Sequence, residues 1–236
     1  MSSSYATKKP KPCKKQSGKL NTPTRFCKVC FEKIEETSWS SLFGFDGCVC
    51  RKCYQKMAPI FTSFKTDGTP SLALYFYNEE ITSILFQFKG CFDIELAPVF
   101  LGRALPLLKA KYRGYTLLPA PSSPSHDERR GFNHVVEMFK GLGLPILQAF
   151  RKTEDVKQAD LSAKERKKVK KRIAWNEGVS IHGKKVLLVD DVYTTGSTMK
   201  ACLALAKKHH PKKVSILVMA KTPPLKRQGK KKGEAG

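Results

Sequence analysis

The chain has 236 residues, with 44 Lys and Arg against 20 Asp and Glu, for a formal charge of +24 at pH 7. Its 41% hydrophobic content suffices for one substantial core plus a small unit. No apolar run approaches the ~20 residues of a membrane span, which excludes a helical membrane protein, and the charge favours phosphorylated or polyanionic partners.

Residues 1–25 carry seven Lys or Arg and no acid, and read as a solvated basic tail. They lack the apolar stretch of a secretory signal, so a cytoplasmic location is expected. The cysteines that follow are grouped. Cys27-Lys-Val-Cys30 and Cys50-Arg-Lys-Cys53 are separated by nineteen residues. Each CxxC turn presents two sulfurs to one tetrahedral face, so Cys27, Cys30, Cys50 and Cys53 are expected to hold a structural Zn2+. Four thiolates leave no open coordination position, which argues against metal catalysis here. Cys48 offers an alternative pairing with Cys50, whereas Cys13, Cys91 and Cys202 read as non-ligands. Trp39, Leu42, Phe43 and Phe45 supply a small apolar set that the metal would supplement. The zinc-binding module is placed at residues 26–66.

Ser71 to Tyr77 reads as a strand. Asn78 then caps a helix that opens on Glu79 and Glu80 and turns Ile81, Ile84, Leu85 and Phe88 to one face. A second helix is predicted over 94–110 and a strand over 114–118. The stretch PAPSSPSHDERRGFNH after it predicts a loop, because Pro and Ser interrupt both periods. Arg129 and Arg130 precede a helix predicted from about Phe132 to Gly141; their guanidinium forks suit a pyrophosphate. His134, on that amphipathic helix, reads as a packed residue. Arg151 to Arg172 is the most charged interior segment, with Ser162 and Glu165 as a capping box. It fits either a solvated helix face or a mobile basic segment that closes over a site.

Val186 to Thr198, VLLVDDVYTTGST, concentrates the chemistry. Apolar residues form a buried strand that delivers Asp190 and Asp191 to its carboxyl end, where open α/β sheets bind ligands. Thr194, Thr195, Gly196, Ser197 and Thr198 then offer hydroxyls and backbone N–H groups at a helix N-terminus, which suits a phosphate. Carboxylates beside a phosphate cradle would repel it unless they met sugar hydroxyls or a divalent cation, so the composite asks for a sugar phosphate with Mg2+. A helix from about Ser197 to His209 and a strand over 214–220 complete the order. His209 and His210 are assigned no chemistry. Strands alternating with helices imply an α/β fold with a mostly parallel sheet. Its domain is placed at 67–222, followed by a second basic tail at 223–236; residues 207–236 carry ten Lys or Arg against Glu234 alone.

The acid pair between an apolar strand and a TTG turn resembles the 5-phosphoribosyl-1-pyrophosphate (PRPP) loop of type I phosphoribosyltransferases. The paired CxxC motifs, YNEEITSILFQFKG, ERRGFN, RKTEDVKQADLSAKER and VLLVDDVYTTGST also occur in the order seen in ComF-type proteins, over roughly Phe26 to Thr222. That resemblance implies a type I phosphoribosyltransferase fold preceded by a small four-cysteine zinc module. It implies that Asp190 and Asp191 bind the ribose hydroxyls and the water shell of Mg2+. Residues Val192, Tyr193, Thr194, Thr195, Gly196, Ser197 and Thr198 would form the PRPP loop around the 5′-phosphate. Arg129 and Arg130 would meet pyrophosphate. One departure stands out: Cys91 and Phe92 precede Asp93 where the family usually carries a small residue and then glycine.

Two functions follow from the resemblance. The first is a PRPP- and Mg-dependent phosphoribosyltransferase, a glycosyltransferase-class enzyme of natural competence and DNA uptake, acting on an unidentified acceptor. The second is a non-catalytic, DNA-binding competence factor that keeps the PRPP fold as a ligand sensor in transformation. Its partners would be single-stranded DNA or other nucleic acid and competence proteins. Few aromatic side chains punctuate the basic runs, as a stacking platform would require.

Overall fold

The computed structural model describes residues 25–34, 47–153 and 172–223. Cys13, the set Trp39, Leu42, Phe43 and Phe45, the Ser162–Glu165 capping box and nearly all of both basic tails lie outside the described residues.

Seven strands and seven helices are described. In chain order they are α1 (Arg51–Lys56), β1 (Pro59–Thr66), β2 (Thr69–Phe76), α2 (Glu79–Gly90), α3 (Ala97–Leu101), α4 (Leu105–Lys111), β3 (Tyr115–Pro119), α5 (Pro124–Arg130), α6 (His134–Phe139), β4 (Phe150–Thr153), β5 (Arg172–Trp175), β6 (Lys185–Tyr193), α7 (Ser197–Lys208) and β7 (Lys213–Lys221). The main sheet runs β1-β2-β7-β6-β3. β2, β7, β6 and β3 are parallel, and β1 pairs antiparallel with β2 at the edge.

The parallel strands are apolar on both faces because both are covered. Leu187, Val189, Leu217 and Met219 join Phe88, Phe100 and Phe139 in one buried cluster, with Cys27, Cys50 and Cys53 of the cysteine unit. Val186, Leu188, Ile216 and Val218 face the other way, onto Met199, Cys202 and Leu203 of α7. Each large side chain fully buried here contributes about 1.5–3 kcal/mol before the entropy of ordering is subtracted.

Asn78 caps α2 as the sequence predicts, its Oδ1 accepting from Ile81 N at 2.9 Å, and Ile81, Ile84, Leu85 and Phe88 are buried. The helix predicted over 94–110 is instead broken into a 3-10 turn at Ile94–Leu96, α3, a second 3-10 turn at Gly102–Ala104 and α4. Pro98 and Pro106 each sit in a first helical turn, where a missing N–H is harmless, and Gly102 takes φ 25° between the two helices. Residues 124–130, expected as loop, form α5, which starts on Pro124 and stops at Gly131 with φ 80°. β1 pairs with the main sheet rather than with the cysteine unit, so the expected boundary after residue 66 falls in the β1–β2 turn. β4 and β5, which flank the most charged segment, pair antiparallel as a separate two-stranded ribbon that the sequence reading did not anticipate.

At the departure noted after Gly90, Phe92 adopts φ 63°, a left-handed conformation that costs a non-glycine residue roughly 1–2 kcal/mol. The turn therefore keeps a backbone suited to glycine without the glycine. Its ring is half exposed, and the Arg129 guanidinium lies over it at 5.9 Å.

Candidate functional site

Parallel strands open a crevice at their carboxyl ends, and the site lies there at the end of β6. A cavity of about 420 Å3 is lined by Lys89, Ser122, Arg130, His134, Asp190, Asp191 and Thr198, among others. Of the residues singled out from sequence, the structure brings Asp190, Asp191, Val192, Thr198 and Arg130 onto this wall. Arg129, Tyr193, Thr194, Thr195, Gly196 and Ser197 stand outside it.

Adjacent strand residues point to opposite faces, and the two carboxylates meet different surroundings. Asp191 faces α2 and α6: Lys89 Nζ donates to its Oδ2 at 2.6 Å, and His134 Nε2 stands 3.3 Å from the same oxygen. His134 is therefore a site residue, correcting its reading as merely packed. Arg130 Nη1 lies 3.0 Å from His134 Nδ1. A guanidinium can only donate, so Nδ1 accepts, the ring proton sits on Nε2, and Nε2 donates to Asp191. Burial would raise the Asp191 carboxyl, but the His134 hydrogen bond and the Lys89 ammonium outweigh it and hold the group well below the usual carboxylate range. Asp190 lies toward α7, where its charge adds to burial in raising the Cys202 thiol. Burial, then the charge of Asp191, pushes the Asp190 carboxyl well above its ordinary value. One carboxylate is thus held ionised and its neighbour inclined to hold a proton.

Arg130 is 8% exposed and held on two of its three nitrogens. Its Nε donates to Lys89 O at 3.3 Å and its Nη1 to Asp127 Oδ1 at 3.2 Å. Asp127 also accepts from Ser122 Oγ at 2.6 Å and Asn133 Nδ2 at 2.9 Å. This network ties the loop after β3 to α5, α6 and α2, so the arginine braces the cavity as well as facing it.

The turn after β6 is shaped by one glycine. Gly196 is the N-cap of α7 with φ 73°, and a Cβ there would stand 2.2 Å from Tyr193 Oη and 2.3 Å from its Cζ. Tyr193 itself is buried, packed edge-on against Phe64, with Thr66 Oγ1 3.3 Å from its hydroxyl. Its side chain thus supports the turn from below. Thr194, Thr195 and Ser197 are exposed, and Thr195 Oγ1 is 3.2 Å from Ser197 Oγ. A glycine N-cap brings no side-chain acceptor; Ser197 N reaches Thr195 Oγ1 at a long 3.4 Å, and a helix start so weakly capped suits an anion.

The four predicted cysteines also converge. All their sulfurs lie within 4.8 Å of one another, and Cys30 Sγ is 3.7 Å from Cys50 Sγ. A thiolate tetrahedron with bonds of about 2.3 Å has edges of about 3.8 Å, so this donor set fits a structural zinc ion. Burial opposes ionisation of Cys27, but backbone N–H groups of Cys50, Cys30 and Val29 aimed at its sulfur bring it down to about 7. Cys48 is not part of the cluster; burial pushes its thiol up.

The sheet, the crevice and the strand–acid–turn unit define a protein with a phosphoribosyltransferase domain of type I fold, and the profile of the Phosphoribosyl transferase domain family matches residues 128–235. Competence protein ComFC of Streptococcus pneumoniae is 29% identical over 154 residues, 65% of this chain and 69% of that protein. Competence protein ComFC of Bacillus subtilis is 28% identical over 153 residues, 64% of this chain and 62% of its own length. A shorter stretch of 55 residues is 47% identical to hypoxanthine-guanine phosphoribosyltransferase of Bos taurus, covering 22% of this chain and 25% of that enzyme. The likeness to the two ComFC proteins and the domain profile support a ComF-family, phosphoribosyltransferase-like protein. No helix among the described residues is long and apolar enough to cross a membrane.

Proposed function

We propose that the protein binds PRPP at the carboxyl end of β6 and transfers its phosphoribosyl group to an acceptor in a process of natural competence. The reading is carried by the convergence of Asp190, Asp191, Arg130 and Thr198 on one cavity. Asp190 and Asp191 receive the ribose hydroxyls, and residues 194–198 wrap the 5′-phosphate at the start of α7. The loop from Ala120 to Ser123, which lines the same cavity as Lys89 and Arg130, receives pyrophosphate. Arg129, over the Phe92 ring, is a further cation for that group.

In the transfer, a nucleophile attacks C1′ while the C1′–oxygen bond to pyrophosphate breaks and the leaving phosphate takes the electron pair. The protein's part is to orient the ribose and to stabilise charge that develops on the leaving group. Mg2+, whose water shell the acid pair suits, would neutralise the phosphates when bound. Asp191, already ionised and fixed by His134, is the ready hydroxyl acceptor. A structural zinc held by Cys27, Cys30, Cys50 and Cys53 completes the proposal, with a cytoplasmic location.

Calorimetric titration of PRPP with and without Mg2+, on the wild-type chain and on Asp190→Asn/Asp191→Asn, tests it. Saturable, Mg-dependent binding lost in the double variant is expected. A folded wild-type protein that takes up no PRPP overturns the reading. The charge of +24 favours a second reading, a DNA-binding competence factor in which PRPP is a sensed ligand. Salt-titrated binding of single-stranded DNA, with and without residues 1–25, separates it: a slope unaffected by removal rejects a part for that tail.

A further inference from the structure

The opposite end of the sheet holds a second cavity that the phosphoribosyl site does not use. The strands β2, β7 and β3 begin there, and Ser71, Ser215 and Tyr115 stand in their first residues. With β1 and the end of α4 they enclose a cleft of about 470 Å3. Its volume lies in the range of small-molecule sites, commonly ~300–1,000 Å3.

Three layers of chemistry are stacked in it. Leu72 and Tyr112, both buried, provide an apolar wall. The floor is polar. Of the buried polar residues among those described, Thr66, Thr69, Ser71 and Ser215, the last two line the cleft, and Ser71 Oγ is held by Thr66 Oγ1 at 3.0 Å and donates to Thr69 O at 3.1 Å. Ser215 Oγ and Tyr115 Oη are 3.5 Å apart, the long limit of a hydrogen bond, so either hydroxyl can turn to a third group. Around the opening stand Lys65 from β1, Lys111 from α4 and Lys213 from β7, all exposed. None of the three forms an ion pair among the described residues. An adjoining depression adds Lys207, Lys212 and His210 against the single acid Asp67, which lies 3.9 Å from Lys200.

An apolar wall, convergent hydroxyls and unpaired cations on three separate elements match a ligand with a flat, partly apolar body and a phosphate. We propose that this cleft is a nucleotide-binding site: the base enters against Leu72 and Tyr112, its polar edge meets Ser215 and Tyr115, and the phosphate rests on the lysines. The site is independent of the PRPP reading, since it shares no lining residue with the cavity at Asp190 and Asp191. A free mononucleotide and a nucleotide within a single strand offer the same chemistry, and the probes separate them.

The test is photolabelling of the full chain with 8-azido-AMP and with a single-stranded DNA decamer carrying 5-iododeoxyuridine, followed by peptide mapping. Label on peptides containing Leu72 or Tyr112 is expected. Label there from AMP alone identifies the free nucleotide, and label there from both probes identifies a site that also takes the strand. Ser63→Trp fills the cleft from an exposed position of β1 without altering charge, and should abolish that label. Lys65→Ala/Lys213→Ala should weaken AMP binding at least roughly tenfold, as loss of charge-assisted bonds does. Asp190→Asn should leave the cleft label intact, which keeps failure here distinct from failure of the PRPP site. Label confined to the Ala120–Thr198 region, or cleft label undiminished by Ser63→Trp, overturns the proposal.

Discussion

Lys89 Nζ and Asp191 Oδ2 meet at 2.6 Å, joining the last turn of α2 to the end of β6. The pair lies 102 residues apart in sequence, and it explains why a carboxylate can stay ionised in a largely enclosed place. Replacing Lys89 by Met leaves Asp191 with His134 as its remaining side-chain partner, beside the Val192 N–H that donates to its Oδ1 at 2.6 Å. A third of the Lys89 side chain is in water, so the expected loss is about 1–2 kcal/mol, below that of a fully buried pair. The sign of the pH dependence is fixed. A depressed carboxyl contributes stability that is present above its ordinary range and is lost as pH falls toward its folded value. Urea midpoints of wild type and Lys89→Met should therefore differ most near pH 7 and draw together below about pH 4. No gap at pH 7 would mean that the pair does not set the Asp191 charge.

Gly196 and Tyr193 make the next prediction. Gly196→Ala introduces a Cβ into the Tyr193 ring at a φ of 73°, so both crowding and backbone strain oppose it. A cost of about 2 kcal/mol or more is expected, with loss of PRPP uptake. Tyr193→Phe should not rescue it, because Cζ as well as Oη stands in the way, at 2.3 Å. Thermal melts of the single and double variants decide this; full recovery in the double variant would assign the effect to the hydroxyl alone.

Much of this was readable in the chain because its signals are local. Asn78 announces the start of α2, the apolar run before Asp190 announces a buried strand, and the CxxC spacing brings four sulfurs together. Lys89 and His134 were missed because nothing near them in sequence marks an ion partner so far along the chain, 102 residues away in the case of Lys89. Only the packing of α2 and α6 beside β6 reveals it. The broken helix over 94–111 is a different case. Pro98, Gly102 and Pro106 were visible, but the apolar period ran through them and masked the breaks. The β4–β5 ribbon was hidden by the charge of the segment between its strands, which reads as helix or loop.

Asp190 gives a prediction of opposite sign to Asp191. Its carboxyl is raised by burial and by the neighbouring charge, so ionisation costs folding free energy as pH climbs from the ordinary carboxylate range through the raised value. Asp190→Asn should accordingly be more stable than wild type at pH 7, by about 0.5–2 kcal/mol, and equal to it near pH 4. The same variant should lose PRPP affinity in calorimetry. Stability gained while binding is lost marks a residue kept for its ligand, whereas a variant less stable at both pH values would show that Asp190 serves the fold.

The cysteine cluster shares a buried core with the main domain: Cys27, Cys50, Cys53 and Met57 lie in the same cluster as Leu74, Tyr75 and Phe88. Metal bound there should therefore stabilise far more than its own turn. One zinc per chain is expected by elemental analysis for the wild type and for Cys48→Ser, and none for Cys53→Ser. Chelation should lower the melting temperature of the phosphoribosyltransferase domain by about 5 °C or more, with both probes of the sheet and of Trp175 following a single transition. Zinc lost from Cys48→Ser would move a ligand to that position. A sheet that melts unchanged after zinc removal would show instead that the two parts share a surface without sharing stability.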